Sequence, residues 1–304
     1  MSFYEELCEC AGSECVKKDE PMSAHTTFKV GGNADFFVTP SPGDIKRVLK
    51  VCRESGQPVM VMGNGSNLLV ADEGIRGVVI CMSGDAFDAS CDGEEISAYA
   101  GVKLSAIAQI AAENELAGFE FASGIPGTLG GAVLMNAGAY GREMKDVLSS
   151  ATVIDREGNL KVLDASELEL SYRHSNVYEN GYTVIEASIA LEFGDEEKIR
   201  KEMKTLNMKR VEKQPLELPS AGSTFKRPKG GFAAKLIDEA GLKGRSVGGA
   251  MVSEKHCGFV VNTGGATAQD IFGLMRLIRD EVKKKSGITL EPEVRFVGEW
   301  KETL

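Results

Sequence analysis

Between Ala122 and Gly141 the chain is dense in glycine, and Ser123-Gly124-Ile125-Pro126-Gly127-Thr128-Leu129-Gly130-Gly131-Ala132 leads into a helix-like run ending at Ala137-Gly138. Glycine has no Cβ, so backbone N–H groups in such a loop can approach an anion closely. Their convergence on a helix start suits a pyrophosphate. Close packing of a helix on a sheet asks for the same residues. A second run, Gly63-Asn64-Gly65-Ser66-Asn67-Leu68, follows a short apolar strand from Pro58 to Met62. It is not a Rossmann fingerprint, because Leu68 stands in place of the third glycine and no helix is signalled afterwards. Nor is it a P-loop, since no Lys-Ser/Thr pair follows. Alone it reads as well as a tight turn between strands. Two such loops in one chain favour a shared diphosphate ligand.

The surrounding pattern is α+β. Asn33 to Thr39 reads as a strand, and Ser41-Pro42-Gly43-Asp44 opens a helix that Gly56 stops. Strands are expected around Val78–Cys81 and Ile96–Ala100, and a helix with a one-face apolar spacing over Leu104 to Leu116. Ala151–Asp155 and Thr183–Phe193 read as strands, and Asp195 to Lys213 as one long helix. Beyond a Pro/Ser/Gly-rich link lie a helix at Gly231–Ala240 and a strand at Phe259–Asn262. The last helix, Thr267 to Ser286, carries a Thr267…Asp270 capping box and a Gly287 stop. Glu291–Val297 is the final strand. Residues 1–20 are acidic and read as an irregular, partly helical arm.

Composition narrows the function. The formal charge is −10, with 42% hydrophobic and 26% charged residues. A phosphate polymer would be repelled by that charge, and the basic runs Lys283-Lys284-Lys285 and Lys226-Arg227 are short, so no nucleic-acid partner is expected. Seven cysteines, an odd number with no CxxC pair, give neither a disulfide framework nor a metal site. No stretch approaches the roughly 20 apolar residues of a membrane span, and the acidic N-terminus has no signal-peptide run. A reducing, cytoplasmic setting without membrane partners is expected. Monomer is a workable oligomeric state, which the sequence does not fix.

Taken together, Gly63-Asn64-Gly65-Ser66-Asn67 and Gly124-Ile125-Pro126-Gly127-Thr128-Leu129-Gly130-Gly131 resemble the FAD-binding elements of the UDP-N-acetylenolpyruvoylglucosamine reductase family. Further stretches resemble it in the same order: Thr27-Phe28-Lys29-Val30-Gly31-Gly32, Asn136-Ala137-Gly138-Ala139-Tyr140-Gly141, Tyr172-Arg173-His174-Ser175, Gly222-Ser223-Thr224-Phe225-Lys226-Arg227-Pro228 and Glu291-Pro292-Glu293-Val294-Arg295. The resemblance implies an FAD-binding domain of the vanillyl-alcohol-oxidase (PCMH) type plus a separate α+β substrate-binding domain. The FAD-binding region, two subdomains, is expected over 1–195 and the substrate domain over 196–288. Residues 289–304 are expected to return a strand to the active site. Non-covalent FAD is implied as cofactor and NADPH as hydride donor. The small-molecule substrate is a UDP-sugar enolpyruvyl ether, reduced to UDP-N-acetylmuramate for peptidoglycan synthesis. Between Tyr182 and Lys213 there is no insertion long enough for the tyrosine-bearing loop of larger members, so the chain resembles the shorter subclass.

The resemblance also assigns roles. Gly63, Asn64, Gly65, Ser66, Asn67, Gly124, Ile125, Pro126, Gly127, Thr128, Gly130, Gly131, Ala137 and Gly138 are expected at the cofactor. Arg173 matches the active-site arginine, whose guanidinium can fork onto a carboxylate. Ser223 matches the proton donor to C2, and a serine hydroxyl needs help to act as an acid. Glu293 matches the family glutamate. Ionised, it would repel the substrate carboxylate, so it is expected to be protonated in the working complex and to donate a hydrogen bond. Lys213 is expected to bind substrate carboxylate or phosphate, and Lys226 and Arg227 to face the UDP diphosphate. Two rival readings remain at this level: an FAD oxidoreductase of the same fold acting on an alcohol or hydroxy acid, and a non-catalytic flavin-binding module.

Overall fold

The computed structural model describes residues 1–302 and 304. Its helices are α1 (Phe3–Ala11), α2 (Ile45–Glu54), α3 (Leu104–Glu113), α4 (Leu129–Met135), α5 (Glu196–Lys213), α6 (Ala233–Glu239) and α7 (Ala268–Ser286). Two compact units divide the chain. The first holds Met1–Lys17, Phe37–Asn64 and Val78–Arg210; the second holds Lys18–Phe36, Gly65–Gly77 and Val211–Leu304. Each is therefore assembled from three separate stretches. Four of the five boundaries fall inside the strands Val16–Pro21, Asn33–Val38 and Ile75–Cys81 and inside α5, and the fifth lies between Asn64 and Gly65 in the first glycine loop.

In the first unit a five-stranded antiparallel sheet runs in the order Leu160–Asp164, Leu148–Ile154, Thr183–Ala190, Glu95–Tyr99, Ala89–Asp92. From Ile185 to Ile189 the central strand alternates buried and half-exposed residues, the pattern of a sheet with one covered face. Val59–Met62 pairs in parallel with Val78–Cys81, and Met62, opposite Cys81, delivers the chain to Gly63. α5 starts on Asp195, whose carboxylate accepts the Lys198 N–H at 2.9 Å. Residues 1–20 are not irregular. Ser2 and Glu5 form a capping box, Leu7 and Ala11 are buried on the helix they start, and α1 packs on α2. Charge on the outer face of α1 hides this in the sequence.

The second unit surrounds α7. Thr267 accepts the Asp270 N–H at 3.0 Å, Asp270 reciprocates to the Thr267 N–H, and Gly287 closes the helix with φ of 76°. Asp72 adds two acceptors, at 2.8 and 2.9 Å from the N–H groups of Ala268 and Gln269. Ile271, Phe272, Leu274, Met275, Ile278 and Val282 turn one face into a core with Phe28, Leu69, Phe225, Val252 and Val260. The strand expected over Glu291–Val297 is confined to Arg295–Val297, which pairs in parallel with Leu68–Val70. Pro292 has no N–H to extend the ladder, and only a single bridge joins it to Phe225. No helix among the described residues is long and apolar enough to cross a membrane.

Candidate active site

Gly63 and Asn64, the start of the first glycine loop, meet the second loop within the first unit. A Cβ on Gly63 would lie 2.1 Å from Thr128 Oγ1, so only glycine allows this approach. Asn64 Nδ2 donates to the Pro126 carbonyl at 3.1 Å, and Asn64 Oδ1 accepts from the Ser83 hydroxyl at 3.1 Å. The Gly124–Gly131 loop is thus clasped at its middle by the first loop. Its far end docks on neighbouring backbone: the N–H groups of Leu129 and Gly130 donate to the Val102 and Ala100 carbonyls at 2.9 and 2.8 Å. Gly130 is glycine for packing, since a Cβ there would sit 2.8 Å from Ala100 Cβ. The first two N–H groups of α4 are therefore already engaged, which narrows the expectation of a pyrophosphate on that helix start.

What stays available fits FAD. The N–H groups of Thr128 and Gly131 meet no acceptor among the described residues. The Ser123 hydroxyl, in the same loop, is buried without a hydrogen-bond partner. Amide N–H groups and a hydroxyl in a loop with no carboxylate are a donor set for phosphate oxygens. No cluster of His, Cys, Asp or Glu among the described residues is arranged to hold a metal ion. Burial pushes the Cys52 thiol up to about 12 and the Cys81 thiol up to about 11, so neither is a nucleophile at neutral pH.

Arg173 stands at the tip of a turn in which Ser171 and His174 exchange backbone hydrogen bonds, both at 3.1 Å. Its φ is +55°, a left-handed conformation that costs a non-glycine residue about 1–3 kcal/mol and persists only where the surroundings impose it. They do. Asn136, fully buried at the end of α4, donates to the Ser171 carbonyl at 2.9 Å and accepts the Lys145 N–H at 2.9 Å. Ser175 Oγ donates to the Leu134 carbonyl at 2.8 Å. The guanidinium itself lies 3.4 Å from the Gly138 carbonyl and over the Tyr172 ring at 5.3 Å. Ala137 and Gly138 thus begin a hairpin on which Arg173 rests. α4 carries the glycine loop at one end and the anchors of Arg173 at the other.

Ser223 and Glu293 belong to the second unit and are tied together through Thr224. Glu293 N–H donates to the Thr224 carbonyl at 2.9 Å, and Lys226 N–H to the Glu291 carbonyl at 2.8 Å. Thr224, 1% exposed, also donates its N–H to the Gly258 carbonyl and accepts the Val260 N–H on Oγ1, both at 2.9 Å. Ser223, next to this clamp, is exposed. Gly258 is fixed in turn by His256, whose Nδ1 accepts the Gly258 N–H at 3.1 Å. Burial holds His256 below the usual histidine range, which keeps that nitrogen an acceptor. Asn67, expected at the cofactor, uses its side-chain amide on the Glu293 carbonyl at 3.0 Å, and its own carbonyl accepts the Arg295 N–H at 2.9 Å. It positions Glu293.

Of the expected substrate cations, Lys213 is exposed on the last turn of α5. Lys226 lies 3.8 Å from the exposed Glu291 carboxylate, a pair worth little in solvent. Arg227 sits over the Phe232 ring at 4.6 Å. The positions that sequence reasoning missed are Asn136, Thr224, His256 and Ser123. Asn136, Thr224 and Ser123 stand inside stretches already quoted, and His256 carried no signal.

The FAD binding domain family matches residues 34–164, and the UDP-N-acetylenolpyruvoylglucosamine reductase C-terminal domain family matches residues 214–297. A variant of Phl p 4, a glucose oxidase, aligns with a TM-score of 0.51 at 13% identity over 64% of this chain and 45% of that one, a likeness of fold alone. Fold and site define an α+β flavoprotein with an FAD-binding domain and a second α+β domain, as the sequence implied. Within that class, the UDP-N-acetylenolpyruvoylglucosamine reductase of Lachnoclostridium phytofermentans is 52% identical over 98% of this chain and 97% of its own length. The protein of the same name from Agathobacter rectalis is 52% identical over 99% of each. The crystal structure of the Thermus caldophilus enzyme superposes with a TM-score of 0.79 at 36% identity, covering 91% of this chain and 97% of that one. The chain belongs to the UDP-N-acetylenolpyruvoylglucosamine reductase family.

Proposed function

We propose that this protein reduces the enolpyruvyl ether of UDP-N-acetylglucosamine to UDP-N-acetylmuramate, an FAD-dependent step in peptidoglycan precursor synthesis. Family membership over nearly the whole chain supports this reading above the alcohol-oxidising and purely flavin-binding alternatives. The observation that carries the chemistry is the Thr224 clamp, which fixes Ser223 and Glu293 in one backbone register. Bound FAD, held by the glycine loops, would supply the hydride chemistry, with NADPH as the source of reducing equivalents and C3 of the enolpyruvyl group as their destination.

The protein's own residues manage charge and protons. Hydride arrival at C3 pushes negative charge onto C2 and the adjoining carboxylate. Arg173, with a permanent charge and a fixed turn, binds that carboxylate and stabilises the enolate as it forms. Glu293, protonated, donates a hydrogen bond to the same oxygens. Ser223 delivers its proton to C2, and Lys226, three residues on, helps disperse the charge left on its oxygen. Lys213 and Arg227 bind the diphosphate or carboxylate. The glycine-loop residues, together with Ala137 and Gly138, hold FAD within 1–195. Residues 196–288 bind the sugar nucleotide, and the segment 289–304 contributes Glu293. The setting is the cytoplasm, and the partner is the small molecule, with neither nucleic acid nor membrane.

Single-turnover kinetics test these roles. Ser223→Ala is expected to accept hydride from NADPH at the wild-type rate. Its reoxidation by the enolpyruvyl substrate under argon should fall by about 10²–10⁴-fold, the usual weight of a positioned acid. Glu293→Gln, still a neutral donor, should keep far more activity than Glu293→Ala. Wild-type reoxidation in Ser223→Ala, or equal losses in the two Glu293 variants, would refute the assignment.

A further inference from the structure

One cation beside the second glycine loop has no role in the reading above. Arg210 lies half-buried on α5, facing Gly124. A Cβ on Gly124 would lie 2.4 Å from Asn207 Oδ1 and 3.2 Å from Arg210 Cδ, so glycine is what allows α5 to press against the loop here. The neighbouring Tyr140 is held in place by its hydroxyl, which donates to the Leu206 carbonyl one turn earlier at 2.9 Å. Yet among the described residues no carboxylate stands within ion-pair distance of the Arg210 guanidinium, and none of its N–H groups finds an acceptor. Among the described residues the one group whose electrostatics acts on it is the Tyr140 phenol.

A guanidinium carries five N–H donors and cannot shed its proton to escape burial. Withdrawn from water without a counter-ion, it is an electrostatic defect that folding alone would select against. Burial in fact pulls its pKa down. A second orphan lies in the same loop, next to Gly124: the Ser123 hydroxyl, on a residue 8% exposed, has no hydrogen-bond partner. Two unsatisfied donors of different kinds beside one glycine call for the same thing, an oxyanion with several lone pairs.

We infer that Arg210 and Ser123 form an anion-binding pair that receives a phosphate group of a bound nucleotide beside Gly124. The inference rests on the reading of Gly124–Gly131 as a nucleotide loop. It adds a permanent, fork-shaped cation to a site otherwise built from amides and hydroxyls. Phosphate is favoured over carboxylate because its oxygens can take the guanidinium fork and the hydroxyl together. The phosphate can come from FAD, from the nicotinamide nucleotide or from the UDP-sugar.

The test compares wild type, Arg210→Met, Arg210→Lys and Ser123→Ala as purified full-length proteins. Three probes separate the sources: FAD retained through gel filtration and its release on dilution, and calorimetric affinities for NADP⁺ and for UDP. Arg210→Met should lose about tenfold or more in one arm, the weight of a charge-assisted pair, and stay within about twofold in the others. Arg210→Lys should fall between, keeping charge without the fork, and Ser123→Ala should weaken the same arm. Because an unpaired charge is removed, the Arg210→Met protein should melt no lower than wild type when no nucleotide is added. Unchanged affinity in all three arms, or a lowered melting point with normal affinities, overturns the inference. A wild-type protein that retains no FAD would instead refute the reading of the loop, while the NADP⁺ and UDP arms still decide the role of Arg210.

Discussion

Replacing Thr224 by valine removes one oxygen and leaves the shape of the side chain almost unchanged. In the folded protein that oxygen accepts the Val260 N–H at 2.9 Å, and both residues are 1% exposed. Water cannot take over, so Thr224→Val strands a buried backbone donor at a cost of about 1–3 kcal/mol, a factor of about 5 to 150 in the folded-to-unfolded ratio. Thr224→Ser keeps the acceptor and deletes one methyl group, worth about 1 kcal/mol. The two variants therefore separate the hydrogen bond from the packing. Urea unfolding with FAD in excess, followed by the fluorescence of Trp300, measures the difference. Trp300 is the single tryptophan of the sequence and stacks on Phe272 at 5.2 Å, so it reports on the second unit. Thr224→Val should shift the midpoint down at constant slope and by more than Thr224→Ser. Because Thr224 also joins Ser223 to Glu293, the valine variant should lose turnover while its flavin is still reduced by NADPH. A Thr224→Val protein within about 0.5 kcal/mol of wild type and with normal turnover would refute the clamp.

Two further outcomes follow from the same contacts. Gly63→Ala should lose bound flavin, because its Cβ would lie 2.1 Å from Thr128 Oγ1; in a Thr128→Ala background the same change should cost much less, a coupling that a double-mutant cycle on FAD affinity measures. Asp155, its side chain 4% exposed, is held well below the usual carboxylate range by the Asn159 backbone N–H, with Lys161 Nζ at 3.0 Å assisting against the opposing effect of burial. A depressed folded pKa stabilises above the unfolded value near 3.9 and is lost as pH falls through the folded one. Wild type should therefore lose thermal stability below about pH 4 more steeply than Asp155→Asn, and parallel melting curves against pH would contradict this.

Local structure was the legible part of this fold. Thr267…Asp270 and Gly287 announce α7 because capping is short-range chemistry, and Asp195 marks the start of α5 for the same reason. The glycine loops were legible as a pair, and Asn64 reaching Pro126 shows them in contact. What the sequence hides is long-range. Contiguous spans such as 1–195 and 196–288 are the natural reading of a linear string, whereas 18–36 and 65–77 pack with the C-terminal portion. Nothing local marks Asn67 as a partner of Glu293, since the contact joins residues far apart in the chain. Arg173 gives no sign of its left-handed backbone, which Asn136 and Ser175 impose from α4. Arg210 reads as one more charge on a polar helix, and only the packing against Gly124 reveals its burial.

The most direct measurement follows the visible absorbance of the purified protein under argon. The account predicts a yellow preparation that NADPH bleaches and that one equivalent of the enolpyruvyl UDP-sugar restores, with UDP-N-acetylmuramate formed in equal amount. A colourless protein, or a reduced flavin that the enolpyruvyl compound leaves bleached, would contradict it.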